Sequence, residues 1–316
     1  MENKVYFRAD AGPDIGYGHF VRTLALADML KNTFDCVFFT QDPTDYQRRE
    51  CEKVCELIAL PSGEEKLELF EDYLIGDETV VLDNYFFTTE YQRRIKKKGC
   101  KLVCVDDLHD KHYVADAVVN HGPARPDEFD CESYTRLCLG PQWSMLRRPF
   151  LEPVKTRKRN NQIVVCFGGA DPLRLTDRIV SYLFELGVGR ELVVVLGDTV
   201  YLSDLNRDRV TVKQNLNAWQ MAELFETSCL GILPASSVRI EAVSRGLKVI
   251  CGYYVENHKI GFERSLAQKD IVPVYDFKDL TLRKLESALD AIDYFSFTIP
   301  DYSKVPERYI GLMSAL

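Results

Sequence analysis

Short runs of β-branched and aromatic residues alternate with helical patterns along the whole chain, and this alternation restricts the fold more than any other feature. Each half of the chain supplies about six runs with the length and composition of buried strands. Helices that cover both faces of a parallel sheet produce this pattern, because the strands are then buried on both sides. The sequence therefore predicts an α/β fold with two doubly wound, Rossmann-type domains that face a cleft. The predicted strands are KVYFRA, CVFFT, ELIAL, TVVLD, KLVCVD and DAVVN in the first half, and QIVVCFGG, ELVVVLG, RVTVK, LGILPA, KVICGY and IVPV in the second.

The division between the two predicted domains lies near the middle of the chain. Residues 151–162 are polar and basic and include Pro153, which is typical of a linker. We therefore expect an N-terminal domain over residues 1–152 and a C-terminal domain over residues 160–302, followed by a last helix at 303–316.

Composition excludes some classes of partner. The formal net charge is −8, so the chain lacks the excess of Lys and Arg that recruits nucleic acids and anionic membranes. No window offers the roughly 18 to 20 apolar residues of a membrane span, and the chain begins without an apolar leader. We therefore expect a soluble cytoplasmic protein. Its ten cysteines, several in strand patterns and none in a C-x-x-C pair, are typical of core thiols rather than of a zinc site.

The carboxyl ends of the strands are where doubly wound domains bind ligands. After the first strand comes GPDIGYGHFVRTLALADML, whose apolar spacing predicts a helix that begins near His19. Gly16 and Gly18 allow a tight turn and a close approach of a ligand to the helix N-terminus. The same pattern also fits a simple turn before a helix with an incidental histidine.

Two further strand ends in the first half carry polar residues. VVLDNYFFT places Asp83, Asn84 and Tyr85 after a buried strand, where they either cap a helix or line the cleft. DDLHDKH groups acidic and histidine side chains, but their spacing matches no metal motif, so we expect a solvated loop. The residues of this second group are Asp106, Asp107, His109 and His112.

In the second half, VVCFGGADP ends a strand with Gly168 and Gly169. These glycines fit either a turn that binds a nucleotide phosphate or a plain turn, and Asp171 with Pro172 predicts the start of a helix.

The stretch LGILPASSVRIEAVSRGLKVI is more specific. Ser236 and Ser237 stand where a buried strand meets a helix N-terminus, and such a position favours a phosphate. Glu241 follows one turn later, where it could accept hydrogen bonds from ribose hydroxyls. Alternatively, Ser236 is only an N-cap and Glu241 faces solvent. The last strand end, KVICGYYVENHKIG, delivers Asn257 and His258 to a turn before another helix.

Taken in order, RADAGPDIGYGHFVRTLALA, LDNY, CVDD, VVNHGP, CLGPQWSMLRRPF, CFGGADP, ASSVRIEA and CGYYVENH resemble the PseG/SpsG-like UDP-sugar hydrolases of pseudaminic acid biosynthesis. Those enzymes are related to MurG-type glycosyltransferases and have the two-domain GT-B fold. The resemblance extends over residues 4–260.

The resemblance implies hydrolysis of UDP-2,4-diacetamido-2,4,6-trideoxy-β-L-altropyranose to UDP and free sugar, with inversion at the anomeric carbon and without metal or cofactor. His19 would be the base that activates water, and Tyr85 and Asn257, at the sugar site, would be the other two catalytic residues. A neutral imidazole can accept a proton from water at pH 7. The UDP-sugar would be bound by Gly16, Gly18, Arg22, Gly168, Gly169, Ser236, Ser237, Glu241 and His258.

The chain departs from the family pattern on the predicted sugar side. Phe86 follows the tyrosine where glycine is common, Trp143 and Ser144 replace Tyr-Ala, and His258 replaces glutamine. Two other functions share the same motifs: a GT-B glycosyltransferase that uses an acceptor instead of water, and a nucleotide-sugar binding protein without catalysis. The sequence makes no prediction of the oligomeric state.

Overall fold

The computed structural model describes residues 4–12, 16–122, 124–155, 158–168, 171, 173–197 and 200–316, apart from the side chains of Asn257 and Arg264. Strands and helices alternate through these residues as the sequence predicts. In the first half they are β1 (Lys4–Arg8), α1 (Gly18–Leu30), β2 (Asp35–Gln41), α2 (Asp45–Cys51), β3 (Glu56–Leu60), α3 (Glu65–Asp72), β4 (Thr79–Leu82), α4 (Thr89–Lys97), β5 (Lys101–Val105), β6 (His112–Tyr113), β7 (Ala117–Asn120), β8 (Asp130–Cys131) and β9 (Arg136–Leu139).

The second half continues with the same alternation. Its elements are β10 (Gln162–Cys166), α5 (Leu175–Glu185), β11 (Glu191–Leu196), α6 (Asp204–Arg207), β12 (Thr211–Gln214), α7 (Ala218–Thr227), β13 (Leu230–Pro234), α8 (Ser237–Ser244), β14 (Lys248–Tyr253), α9 (Glu256–Gln268), β15 (Val272–Asp276), α10 (Leu282–Tyr294) and α11 (Val305–Ala315).

The chain divides into two compact units. Unit 1 comprises Met1–Arg148 and Tyr302–Leu316, and unit 2 comprises Pro149–Asp301. Within the described residues, unit 1 contains a parallel sheet in the order β3-β2-β1-β4-β5-β7-β9, and unit 2 contains one in the order β12-β11-β10-β13-β14-β15. In both sheets the first strand of the unit is central and later strands are added on either side, which is the doubly wound arrangement.

Each sheet has a hydrophobic core of its own. Phe39, Val80 and Leu102 lie in the core of unit 1, and Val165 and Ile232 lie in that of unit 2. All twelve predicted strands are present. The sequence analysis missed β9, an edge strand with only one fully buried residue, and the two-residue strands β6 and β8, because their burial patterns are too short or too irregular to detect.

The C-terminal helix α11 belongs to unit 1 although it follows unit 2 in the chain. The fully buried Tyr309 donates a hydrogen bond from its hydroxyl to the carbonyl of Trp143 at 2.6 Å, and the two rings meet edge to face. Trp143 and Ser144 are buried beside it. The side chains of both residues therefore belong to the packing of unit 1, and the interpretation that they lie on the sugar side stays a prediction.

Unit 2 begins at Pro149, before the segment for which the sequence predicts a linker. Arginines tie this segment to the body of unit 2. Arg245 donates to the carbonyls of Phe150 and Glu152, and Arg159 donates to that of Ser228 at 2.6 Å. These contacts anchor described residues at both ends of the segment within unit 2, whereas residues 156 and 157 lie outside the described part of the chain.

Candidate active site

His19 lies where the sequence analysis expects it, in the first turn of α1. Gly16 and Gly12 pair through their backbones, with the Gly16 amide donating to the Gly12 carbonyl at 2.8 Å. Gly16 has a φ of 81°, a backbone conformation that favours glycine, whereas Gly18 is simply the first residue of the helix. The turn that precedes His19 therefore depends on Gly16.

Asp83 orients the His19 imidazole. Nδ1 of His19 lies 2.8 Å from Oδ1 of Asp83, and Asp83 is completely buried. Burial alone would raise the pKa of Asp83, but the charges of Arg22 and His19 lower it more, so the pKa lies well below its usual range. An ionised carboxylate only accepts hydrogen bonds, so the proton of a neutral His19 belongs on Nδ1 and the lone pair on Nε2.

Arg22, one turn after His19 on α1, joins Asp83 to a second carboxylate. Its Nε and Nη2 donate to Asp83 at 2.7 and 2.6 Å, and its Nη1 donates to Asp107 at 2.7 Å. Burial alone would lower the pKa of Arg22, but Asp107 and Asp83 raise it well above its usual value. Each nitrogen of the guanidinium thus binds a carboxylate of the chain, and the predicted contact of Arg22 with substrate stays a prediction.

Tyr85 completes the group of side chains around His19. The two rings meet edge to face with centroids 4.7 Å apart, and the Tyr85 hydroxyl donates to Asp107 at 3.3 Å. The Tyr85 side chain is partly exposed, whereas His19 is largely buried. The structure therefore brings together two of the three residues for which the sequence analysis predicts a catalytic role.

Sheet order explains why these residues meet. His19 follows β1, Asp83 follows β4 and Asp107 follows β5, and β1, β4 and β5 are consecutive neighbours in the parallel sheet. The carboxyl ends of parallel neighbours lie at one edge of the sheet. Residues that are 64 and 85 positions apart along the chain therefore come into hydrogen-bond contact there.

The helix-cap alternative for Asp83, Asn84 and Tyr85 is wrong. The N-cap of α4 is Thr88, whose hydroxyl accepts from the Tyr91 amide. Asn84 instead pairs with the backbone of Asp10, accepting from its amide at 2.6 Å.

The expectation of a solvated DDLHDKH loop is also wrong for the first two of its three aspartates. Asp106 is buried and accepts from the Tyr113 hydroxyl at 2.6 Å and from the His109 amide at 3.1 Å. Asp107 is engaged by Arg22. The sequence shows both aspartates directly after a buried strand. It does not show their partners Tyr113 and Arg22, because these lie on other elements. Among the described residues, no group of three or more His, Cys, Asp or Glu side chains is arranged to hold a metal ion.

Phe86 follows Tyr85 and is partly exposed. The ammonium group of Lys66 lies 4.5 Å from the centroid of its ring and also donates to Asp10 at 2.9 Å. Beneath it, Arg8 and Asp10 form a completely buried ion pair. Phe86, which departs from the family pattern, therefore packs next to Tyr85 against the charged side chains of Lys66 and Arg8.

In unit 2, Ser236 and Ser237 lie at the N-terminus of α8 after β13, as predicted, and Ser237 is the first residue of the helix. Ser236 is the N-cap residue in an extended conformation, but its side chain makes no capping hydrogen bond. Glu241 is buried, so the alternative in which it faces solvent is wrong. The first turn of α8 thus keeps its amide donors without a side-chain cap.

The other glycine-rich strand end differs from this one. Gly168 follows β10 in a turn, and Gly169 and Pro172 lie outside the described residues. Asp171 is buried and accepts from the amides of Leu175 and Thr176 at 2.9 and 2.6 Å. The α5 helix therefore begins a few residues later than Asp171, and its first amides are already bound by a carboxylate of the chain.

Asn257 and His258 lie within the first turn of α9 rather than in a turn before it. The side chain of Asn257 is outside the described part of the chain. The His258 ring packs edge to face on Tyr254 with centroids 5.0 Å apart, and burial lowers the pKa of His258 to about 4. His258 is therefore neutral at pH 7.

No helix in the described part of the chain combines the length and apolar character that crossing a bilayer requires.

The fold is that of GT-B proteins. MurG of Acinetobacter baumannii matches over 100% of both chains with a TM-score of 0.68 at 11% identity. Arabidopsis thaliana UGT89C1, solved in complex with UDP, matches 99% of this chain and 100% of its own with a TM-score of 0.62 at 10% identity. These likenesses confirm the predicted fold class, an α/β protein with two Rossmann-type domains.

No family model matches the chain. Individual sequence relatives nevertheless indicate a narrower class of protein than the fold does. The chain is similar to UDP-2,4-diacetamido-2,4,6-trideoxy-beta-L-altropyranose hydrolase of Campylobacter jejuni, at 25% identity over 279 residues, which cover 81% of this chain and 93% of that protein. It is 24% identical over 267 residues to the spore coat polysaccharide biosynthesis protein SpsG of Bacillus subtilis, covering 79% and 77% of the two chains. An uncharacterized protein of Methanocaldococcus jannaschii is 26% identical over 275 residues, and the match spans 56% of its length. The resemblance to PseG/SpsG-like proteins is confirmed.

Proposed function

We propose that this protein hydrolyses a UDP-linked 2,4-diacetamido-trideoxyhexose to UDP and free sugar, with inversion at the anomeric carbon, in the biosynthesis of a nonulosonic acid such as pseudaminic acid. The observation that carries the proposal is the hydrogen bond between His19 and the buried carboxylate of Asp83. The similarity to the Campylobacter jejuni hydrolase over most of both chains supports the substrate class.

His19 is the proposed base. In the tautomer assigned above, Nδ1 donates to Asp83, and among the described residues Nε2 makes no hydrogen bond, so Nε2 is left to accept a proton from water. As the proton arrives, Asp83 lies 2.8 Å from the forming imidazolium and stabilises its charge. The activated water then attacks the anomeric carbon on the face opposite the departing UDP, which gives inversion through an oxocarbenium-like transition state.

Unit 2 is the proposed site of UDP. Negative charge grows on the diphosphate as the glycosidic bond breaks, and donors at a helix N-terminus stabilise it. Two helix starts in unit 2 follow strand ends of the kind predicted to bind phosphate. The start of α5 is occupied by Asp171, whereas that of α8 has no side-chain cap, so we assign the phosphates to Ser236 and Ser237. We assign the ribose to the buried Glu241 and place Asn257 and His258 with the sugar.

The test is incubation of the purified protein with UDP-2,4-diacetamido-2,4,6-trideoxy-β-L-altropyranose, without acceptor, followed by NMR. Release of UDP together with a free sugar of inverted anomeric configuration is the expected result. His19→Phe is expected to abolish this release while binding of UDP, measured by calorimetry, stays nearly unchanged. His112→Phe, a matched change at a more exposed histidine that pairs with Asp130, is the control and retains activity. Unaltered turnover by His19→Phe would contradict the assigned base.

A glycosyltransferase is the second candidate, favoured by the likeness of the fold to MurG. It differs from the hydrolase only in the acceptor, since a hydroxyl compound takes the place of water. The same NMR experiment separates the two functions: a transferase releases UDP only after an acceptor is added. A protein that binds UDP and releases nothing under either condition is a binding protein without catalysis.

A further inference from the structure

The contacts that begin at His19 form a closed ring of side chains. The proposed mechanism gives no role to the part of this ring that lies beyond Asp83. His19 bonds to Asp83, Asp83 accepts from Arg22, and Arg22 donates to Asp107. Asp107 accepts from the Tyr85 hydroxyl, and the Tyr85 ring packs on His19. We call these five side chains the base network. Each member contacts at least two others, and Nη2 of Arg22 also lies 3.2 Å from Nδ1 of His19, so a shift of one member affects its neighbours.

Asp83 is fixed in one orientation by its hydrogen bonds. Oδ1 faces Nδ1 of His19 and accepts from Nη2 of Arg22, and Oδ2 accepts from Nε of Arg22 and from the hydroxyl of Thr23 at 2.6 Å. These four contacts match the four lone-pair sites of a carboxylate. A shift of Arg22 would therefore move the Asp83 carboxylate away from His19. The position of Arg22 depends in turn on its bond to Asp107.

The charges of the base network are unbalanced by one. Two aspartates and one arginine give a net charge of −1 while His19 is neutral, and the sum becomes zero when His19 holds a proton. Asp107 supplies the second negative charge. Burial by itself would raise the pKa of Asp107, but the charges of Arg22 and His121 lower it below its usual range, so Asp107 is ionised at neutral pH.

Groups on neighbouring elements complete the electrostatic surroundings of this network. Among the described residues, the titratable groups outside the network that interact with its members include His121, which follows β7, and Tyr309 on α11, and Lys111 donates to the Tyr85 carbonyl at 2.9 Å. The Tyr309 hydroxyl is uncharged, since burial raises its pKa well above the usual value. The negative charge that balances a protonated His19 therefore comes from Asp83 and Asp107.

We propose that Asp107 is a positioning residue of the hydrolytic site: it supplies the charge that lets His19 hold the proton taken from water, and it holds Tyr85 against the imidazole. This inference rests on the proposed role of His19 as the base. Asp107 acts through its contacts with Arg22, which binds Asp83, and with Tyr85.

The test compares Asp107→Asn with wild type by NMR titration of the histidine imidazoles. The chain has five histidines, so the spectrum of His19→Phe identifies the His19 signal. Asparagine keeps an oxygen that can accept from Arg22 and Tyr85 but removes the charge. The pH midpoint of His19 is expected to be lower in Asp107→Asn than in wild type, because a protonated His19 would give the network an uncompensated positive charge. Asp110→Asn makes the same change at an exposed aspartate of the same loop and is expected to leave the midpoint in place.

Turnover provides the second readout. In Asp107→Asn the acid limb of the pH–rate profile moves down by the same amount, and the plateau of kcat falls because a weaker base accepts the proton less readily. Tyr85→Phe keeps the charge of Asp107 and is expected to move the midpoint less than Asp107→Asn. An unchanged His19 midpoint in Asp107→Asn would overturn the inference. If the wild type turns over no UDP-sugar, the proposed function fails, whereas the NMR titration still decides the role of Asp107.

Discussion

Replacement of Asp83 by asparagine tests how much of unit 1 depends on the carboxylate at the centre of the base network. Asparagine has the same shape but offers one oxygen in place of two, and its amide group donates where the carboxylate accepted. Two of the four contacts of Asp83 are then lost, and one nitrogen of Arg22 faces another donor.

The magnitude follows from the contacts. Hydrogen bonds to charged groups contribute about 1.5 to 3 kcal/mol each, so two lost bonds correspond to about 3 to 6 kcal/mol. Arg22 keeps its bond to Asp107, which offsets part of this loss. Removal of one partner from a buried ion pair costs about 3 to 5 kcal/mol. We therefore expect Asp83→Asn to reduce the free energy of unfolding of unit 1 by about 4 kcal/mol at pH 7.

The assay is urea unfolding followed by tryptophan fluorescence. The chain has two tryptophans: Trp143 is buried in unit 1, and Trp219 is half exposed in unit 2. In a Trp219→Phe background the fluorescence reports unit 1 alone. Asp127→Asn, a change in an exposed ion pair with Arg125, serves as the control and is expected to have no measurable effect.

The effect of Asp83→Asn depends on pH in a defined direction. The pKa of Asp83 is lower in the folded chain than in the unfolded one, so its ionised form stabilises the fold fully above the unfolded pKa of about 3.9. This contribution is lost progressively as the pH falls below that value. The difference between wild type and variant should therefore shrink below about pH 4. A difference under about 1 kcal/mol at pH 7, or one that is equally large at pH 3, would refute the reasoning.

Three further predictions concern both units. Ser236→Ala is expected to weaken UDP binding in calorimetry about tenfold without changing urea stability, because the Ser236 hydroxyl makes no capping bond; a loss of stability with unchanged affinity would contradict the phosphate assignment. Gly76→Ala would bring its Cβ within 2.3 Å of the Lys98 carbonyl oxygen and should reduce the free energy of unfolding of unit 1 by about 3 kcal/mol. Gly311→Ala, the matched change at an open helical position, should increase it by about 0.5 to 1 kcal/mol. Because burial lowers the pKa of His258 to about 4, the stability of unit 2 should rise with pH between about 4 and 6.5, and His258→Gln should flatten this rise in urea titrations.

The sequence alone determined the strands and the start of the first helix. Runs of β-branched residues and helical spacing are local properties, since each strand of a doubly wound sheet is buried on both faces and each helix buries one. For the same reason His19 could be placed at the beginning of α1 and Ser236 before α8.

Only the tertiary structure decided which residues join these sites. Asp83 and Asp107 are acids after strands in the sequence, and their convergence on Arg22 follows from the adjacency of β1, β4 and β5 in the sheet. Likewise, the last helix packs in unit 1, where Tyr309 donates a hydrogen bond to the carbonyl of Trp143, 166 residues earlier in the chain. Contacts between residues this far apart depend on strand order and helix packing, which local residue patterns do not encode.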